Sequence, residues 1–290
     1  MTQRRTTSIV LALSLWLLSS AAYSQDEPAA TEDDSETGQS QTQTQPKAQF
    51  SSHNNPSLLA KDLPPEQVLW LEVAGQKVLS LYSPDYSGKA RGGVILLPRH
   101  DQAITRRNRL YNLQQTLANN RWHTLMLSMP PLPAADDSGA AADTTAQQHI
   151  AAAISFLNSK GIYNMVLLGE GSSANRLIAY ASQISDKNQL KQIRGLALVN
   201  AENNIAGQQI NSLLAKLTFP VLDLYFTDGR QASAYAQQRM RASKPLPRGQ
   251  YQQVRMPRMA FNRQQDENKL SKRIRGWLNK TAAGFSVGVK

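Results

Sequence analysis

Cysteine is absent from the 290 residues. Its absence excludes disulfides, thiolate metal sites, a Cys nucleophile and a lipid anchor attached through Cys, so core burial must supply the stability. Histidine is scarce, and His53, His100, His123 and His149 show no spacing that a metal site would use, so no metal is expected. Acids are few, 21 against 32 Lys and Arg, which leaves a net charge of +11. No apolar stretch reaches the roughly 20 residues a membrane-spanning helix needs. No segment repeats. The Gly169-x-Gly171 pair lacks the third glycine and the later strand-end acid of a dinucleotide fingerprint, with only Ala174 to stand in for that glycine, and no cofactor is expected.

What is present begins with Arg4 and Arg5, an apolar run from Ile9 to Leu18, and small residues from Ser19 to Ser24. This pattern predicts a secretory signal peptide over residues 1–24 and a periplasmic or secreted protein, with no span left after cleavage. Residues 25–56 are rich in Gln, Thr, Ser, Asp and Glu and poor in apolar side chains. Such a segment buries too little surface to offset its ordering entropy and reads as a disordered acidic spacer. Its six acids face Lys47 alone, so the +11 is the balance of +2 before it, −5 within it and +14 over residues 57–290. A basic exported domain points to anionic envelope components as partners, and not to nucleic acid, because export removes that partner.

The stretch that organises residues 57–290 is Asn164-Met165-Val166-Leu167-Leu168-Gly169-Glu170-Gly171-Ser172-Ser173-Ala174. A short apolar run reads as a strand buried on both faces. It enters a helical pattern (Asn175 to Ile184) through a tight Gly-x-Gly-Ser-Ser turn, the geometry of a nucleophile elbow. Around it the pattern predicts a hairpin over 66–73 and 77–82 turning at Ala74-Gly75-Gln76, and strands over 93–98, 124–129, 195–199, 220–226 and 251–256. Helices are predicted over 106–119, 144–159, 207–217, 231–242 and 267–279. Alternation of this kind builds a three-layer α/β sandwich on a mostly parallel eight-stranded sheet, with the antiparallel hairpin at its start.

With the elbow after the fifth strand, residues 64–282 resemble the α/β-hydrolase fold. More narrowly, Gly93-Val94-Ile95-Leu96-Leu97-Pro98, Trp122-His123-Thr124-Leu125, Gly169-x-Gly171 and Lys272-Arg273-Ile274-Arg275-Gly276-Trp277-Leu278 resemble a bacterial exported family, domain-of-unknown-function family 3530. The resemblance implies the fold and no particular substrate. In an active hydrolase the nucleophile stands at the elbow, the acid after the seventh strand and a His after the eighth. Here the elbow position holds Gly171, the acid position holds Asp228, and residues 257–265 contain no His.

The expectation is therefore an exported α/β-hydrolase-fold protein without the Ser-His-Asp triad, a pseudoenzyme that binds a small molecule or serves the envelope. Its ligand-binding candidates are Arg99, Gly169, Glu170, Gly171, Ser172 and Ser173. The alternative is an esterase-like hydrolase with a rebuilt site of Ser172, His100 and Asp228. Each has an ordinary reading too: Ser172 as a helix N-cap, Asp228 as a turn residue before Gly229, His100 on a surface loop, Glu170 solvated. A ring nitrogen of His100 within reach of Ser172 Oγ would favour the alternative. Arg239, Arg241, Lys244, Arg248, Arg255, Arg258 and Arg263, with no acid among them, form either a solvated face or an anion-binding patch.

Overall fold

Strands buried on both faces hold the centre of the molecule, because their continuous apolar sequence leaves no face for water. In a computed structural model, which describes residues 55–132, 140–205, 208–226, 230–257 and 268–283, Gly92–Leu97 (β3) and Met165–Glu170 (β5) are buried along their whole length and pair in parallel. The other strands are Val68–Val73 (β1), Gln76–Ser83 (β2), Trp122–Leu127 (β4), Ile193–Val199 (β6), Val221–Phe226 (β7) and Tyr251–Met256 (β8). Their order across the sheet is β1-β2-β4-β3-β5-β6-β7-β8. Within this sheet only the β1–β2 and β2–β4 pairs are antiparallel; apart from it, the two-residue strands Asn204–Ile205 and Gln208–Gln209 pair antiparallel. The β1–β2 turn is made by Ala74 and Gly75, both at positive φ, as a two-residue hairpin turn with the right twist requires.

Two apolar cores lie on the two faces of the sheet. Helices Arg109–Ala118 (α2) and Lys269–Thr281 (α8) close one, through Leu110, Leu113, Leu117, Leu270, Ile274 and Leu278. Helices Ala140–Ser159 (α3), Ser172–Gln183 (α4), Ile210–Leu214 (α6) and Arg230–Ala242 (α7) lie on the other, together with Ile95, Leu125, Leu167 and Leu198 of the sheet. The eight strands, their mostly parallel pairing and the helices on both faces are those the sequence predicts. Three details differ. Short helices Pro56–Lys61 (α1) and Lys187–Gln192 (α5), each opened by an Asn or Asp N-cap, add to the elements. Strand β4 starts at Trp122, whose fully buried ring belongs to the core beneath α2 and not to a loop. Helix α6 has five residues instead of eleven: Gln208–Gln209 at its predicted start pair as a strand with Asn204–Ile205, and its end tightens into i→i−3 turns at Lys216 and Leu217, since Phe219 before Pro220 must be extended to enter β7.

Candidate functional site at the strand-to-helix elbow

The elbow joins β5 to α4. Gly169 is forced by space: a Cβ there would lie 2.7 Å from the backbone N and Cα of Ala174. Gly171 turns the chain at φ 58°, ψ −125°, and its N–H donates to Val199 O (2.9 Å), which ties the turn to the end of β6. A Cβ on Gly171 would sit 2.5 Å from Arg99 Cδ, 2.6 Å from Arg99 Cγ and 3.2 Å from Glu202 Oε1. The space a nucleophilic side chain would occupy is filled by Arg99.

Three consecutive residues after β3 are fastened to three consecutive residues of the elbow. Ser173 Oγ donates to Pro98 O (2.6 Å), the Arg99 stem crosses Gly171, and Ser172 Oγ is hydrogen-bonded to His100 Nδ1 at 2.6 Å. Ser172 and Ser173 are fully buried. Ser172 is therefore no helix cap: Gly171 holds the cap position, and among the described residues no side chain caps α4. Nor is His100 on an ordinary surface loop; burial lowers the pKa of its ring, with Arg176 and Arg99 adding to the effect and Asp101 opposing it. Neutral His100 beside Ser172 has the form of a base and a hydroxyl. Among the described residues, however, no carboxylate hydrogen-bonds His100, and Ser172 is closed to solvent. Asp228, the third member of the rebuilt site, lies outside the described residues. His123 accepts from Tyr82 Oη and Asp85 N, and His149 donates to Ser128 O.

Arg99 is held in place by a two-pronged contact to Asp101, Nε to Oδ1 at 2.6 Å and Nη2 to Oδ2. This pairing holds the Asp101 carboxyl below its ordinary value. Beside Arg99 opens a cavity of about 240 Å³ lined by residues that include Arg109, Glu170, Asn200, Glu202 and Tyr235. A more open hollow of about 320 Å³ shares Gln102 and Arg109 with it but reaches none of the elbow residues. Glu170 is not solvated, as the sequence allowed, but 4% exposed, with Arg109 Nη1 3.2 Å from its Oε1. Burial raises the Glu170 carboxyl despite Arg109 and Arg99, and raises Glu202 likewise. Arg109 opens α2 and lies over the Phe226 ring at 4.9 Å. Asn200, at φ 48°, accepts from Phe226 N through its side chain and donates its own N–H to Leu224 O, fixing the mouth between β6 and β7. Sequence reasoning missed Arg109, Asn200, Glu202 and Tyr235, since they come from α2, the loop after β6 and α7, and none carries a motif. It also missed buried Arg176, which donates to Pro130 O (2.7 Å) and Pro131 O (2.9 Å) and pins the Pro-rich loop to α4.

The basic run is corrected at its first member. Arg239 is fully buried and forms two hydrogen bonds to Asp223 on β7 (2.9 and 3.0 Å), with Nη1 donating to Ala201 O and Asn203 Oδ1. The acid that neutralises it stands on a neighbouring strand, out of view of a window along the chain. Arg241, Lys244, Arg248 and Arg255 are exposed; Arg258 and Arg263 lie outside the described residues.

The same fold appears in solved structures of low sequence similarity. Est1E from Butyrivibrio proteoclasticus matches with TM-score 0.52 at 11% identity, over 74% of this chain and 98% of its own. Dienelactone hydrolase from Anabaena variabilis matches at 0.55 and 12%, over 74% and 97%. A soluble variant of monoglyceride lipase from Saccharomyces cerevisiae matches at 0.53 and 13%, over 73% and 94%. Identities this low carry the fold and nothing finer. No curated protein is similar enough in sequence to count as a relative. The family described as "Protein of unknown function (DUF3530)" matches over residues 6–149 and 131–280, so the chain belongs to that family and has the α/β-hydrolase fold.

Proposed function

We propose that this protein is an exported member of the α/β-hydrolase fold that binds a small molecule at the elbow without hydrolysing it. One observation carries the reading: the Arg99 stem lies where a nucleophile's side chain would stand over Gly171, and an open polar cavity begins directly beside it. The site keeps the elbow's backbone and its position at the carboxyl end of central strands, where open α/β sheets bind ligands. Export is supported by Arg4, Arg5 and the run Ile9 to Leu18, and no helix of the described residues is long and apolar enough to cross a membrane.

A second reading rests on the 2.6 Å contact between His100 Nδ1 and Ser172 Oγ, which favours a rebuilt hydrolase. That reading requires Ser172 to become accessible and to attack an acyl carbon while His100 takes its proton. One experiment separates the two. The full chain is expressed with its native N-terminus, recovered from the periplasmic fraction, weighed intact and assayed on short acyl esters beside Ser172→Ala. The expected protein begins at Gln25 and gives no turnover above the Ser172→Ala background. Retention of Met1 removes the export claim. Ester turnover that Ser172→Ala abolishes replaces the binding reading with the hydrolase.

A further inference from the structure

The elbow cavity is lined by two oppositely charged side chains, each with a buried polar atom that makes no hydrogen bond among the described residues, and together they describe the ligand. Glu170 Oε2 is buried and has no hydrogen-bond partner among the described residues. Arg109 Nη1 is likewise buried without a hydrogen bond of good geometry among the described residues, although it lies 3.2 Å from Glu170 Oε1. Both residues line the cavity. Buried polar atoms of this kind are nearly always satisfied, and each one left unmet weakens the folded state.

The charges around them restrict the choice further. Arg99 is committed to Asp101 and Arg109 faces Glu170, while Glu202, which also lines the cavity, makes no ion pair among the described residues. An anionic ligand would answer Arg109 but would be pressed against Glu170 and Glu202. An ammonium ligand would answer the carboxylates but would meet Arg99 and Arg109, and it has no lone pair for Arg109 to donate to. A hydroxyl group suits both side chains, accepting from the Arg109 guanidinium and donating to the Glu170 carboxylate. A second hydroxyl on the same molecule would serve Glu202. The volume of about 240 Å³ lies below the roughly 300–1,000 Å³ of ordinary small-molecule pockets, so the molecule is small.

We propose that the elbow cavity binds a small neutral polyol, of the glycerol-to-monosaccharide class, through Arg109, Glu170 and Glu202. This rests on the binding reading above and gives it a ligand class.

The test uses the full exported chain, labelled with ¹⁵N, titrated separately with glycerol, erythritol and D-glucose. Ethanolamine and acetate serve as the cationic and anionic probes. Shifts at the amides of Asn200, Ala201 and Ala232 report occupation of the cavity. At least one polyol should shift all three saturably. Glu170→Gln should weaken that binding at least tenfold. Should Glu170→Gln fail to fold, Ala232→Leu, which fills the mouth from α7 without touching any charge, should abolish the shifts. Saturable shifts from ethanolamine or acetate at lower concentration than any polyol would overturn the ligand class and leave the binding site standing. No shift from any polyol overturns the inference outright. Ester turnover lost in Ser172→Ala removes the non-hydrolytic reading, and polyol occupation is scored independently of it.

Discussion

A side chain on Gly171 meets two obstacles at once. Its φ of 58° costs an L-residue roughly 1–2 kcal/mol. Its Cβ would also overlap the Arg99 stem, which Asp101 holds from the far end. Gly171→Ser should therefore lower unfolding stability by about 2 kcal/mol or more, read in urea denaturation. In an Arg99→Ala background the steric part disappears, and the same substitution should cost measurably less. Equal costs in both backgrounds would show that Arg99 does not occupy the place assigned to it. His100 supplies a pH signature. Its folded pKa is lowered by burial, so its contribution to stability is complete above the unfolded value of about 6.5 and is lost as pH falls through the folded one. Glu170 has the opposite sign: burial raises its carboxyl, and its contribution, present below the unfolded value near 4.3, is lost as pH rises through the folded one. Between about pH 7.5 and pH 5.5, His100→Gln should lose less stability than the native protein, and a ring titration of His100 should have its midpoint below about 6.5. A midpoint above that value contradicts the half-buried neutral ring.

At the scale of elements, α7 is fastened to the sheet by a buried polar cluster. Asp223 on β7 accepts from Arg239 on α7 and from Tyr251 and Gln253 on β8, and burial raises the Tyr251 hydroxyl, with Asp223 adding to the shift. Removing the cation leaves a carboxylate buried with only neutral donors. Arg239→Met should destabilise by about 3–5 kcal/mol, whereas exposed Arg241→Met should stay within about 0.5 kcal/mol. Similar effects from the two would mean that Arg239 is a surface residue after all. The same comparison shows why elements were legible to different degrees. Strand β8 and helix α7 carry their periodicity in their own residues, and the sequence locates both to within a residue. The ends of β4 and α6 are decided by what the chain must reach next, a core position for Trp122 and the entry to β7 after Pro220.

At the scale of the whole molecule, positive charge dominates residues 57–290. The exposed members of the basic run divide into two groups: Arg241, Lys244 and Arg248 lie at the end of α7 and before β8, while Arg255 stands near the far end of β8. If an anionic envelope surface is the partner, the first group is the denser contact. Binding to vesicles containing anionic phospholipid should weaken steeply as the Debye length falls below about 10 Å. Replacing Arg241, Lys244 and Arg248 by Gln should remove up to about 3 kcal/mol of it, at about 1 kcal/mol per cation. Binding that ignores salt, or absence of binding at low salt, rules this partner out.

The sequence by itself determined the layered fold, because strand and helix periodicities, the Gly169-x-Gly171 turn and the buried runs of β3 and β5 are local properties of the chain. It also located the elbow and singled out Ser172, His100 and Arg99 around it. Only the tertiary structure decided what those residues do. It brought the loop after β3 down onto α4, spent both serines on holding that loop, and laid Arg99 over Gly171. It gave Glu170 its partner from α2 and Arg239 its partner from β7. The physical reason is common to all of these. A charge or hydroxyl buried in a protein must be answered by whatever group folding brings beside it, and here those groups come from strands and helices separated along the chain.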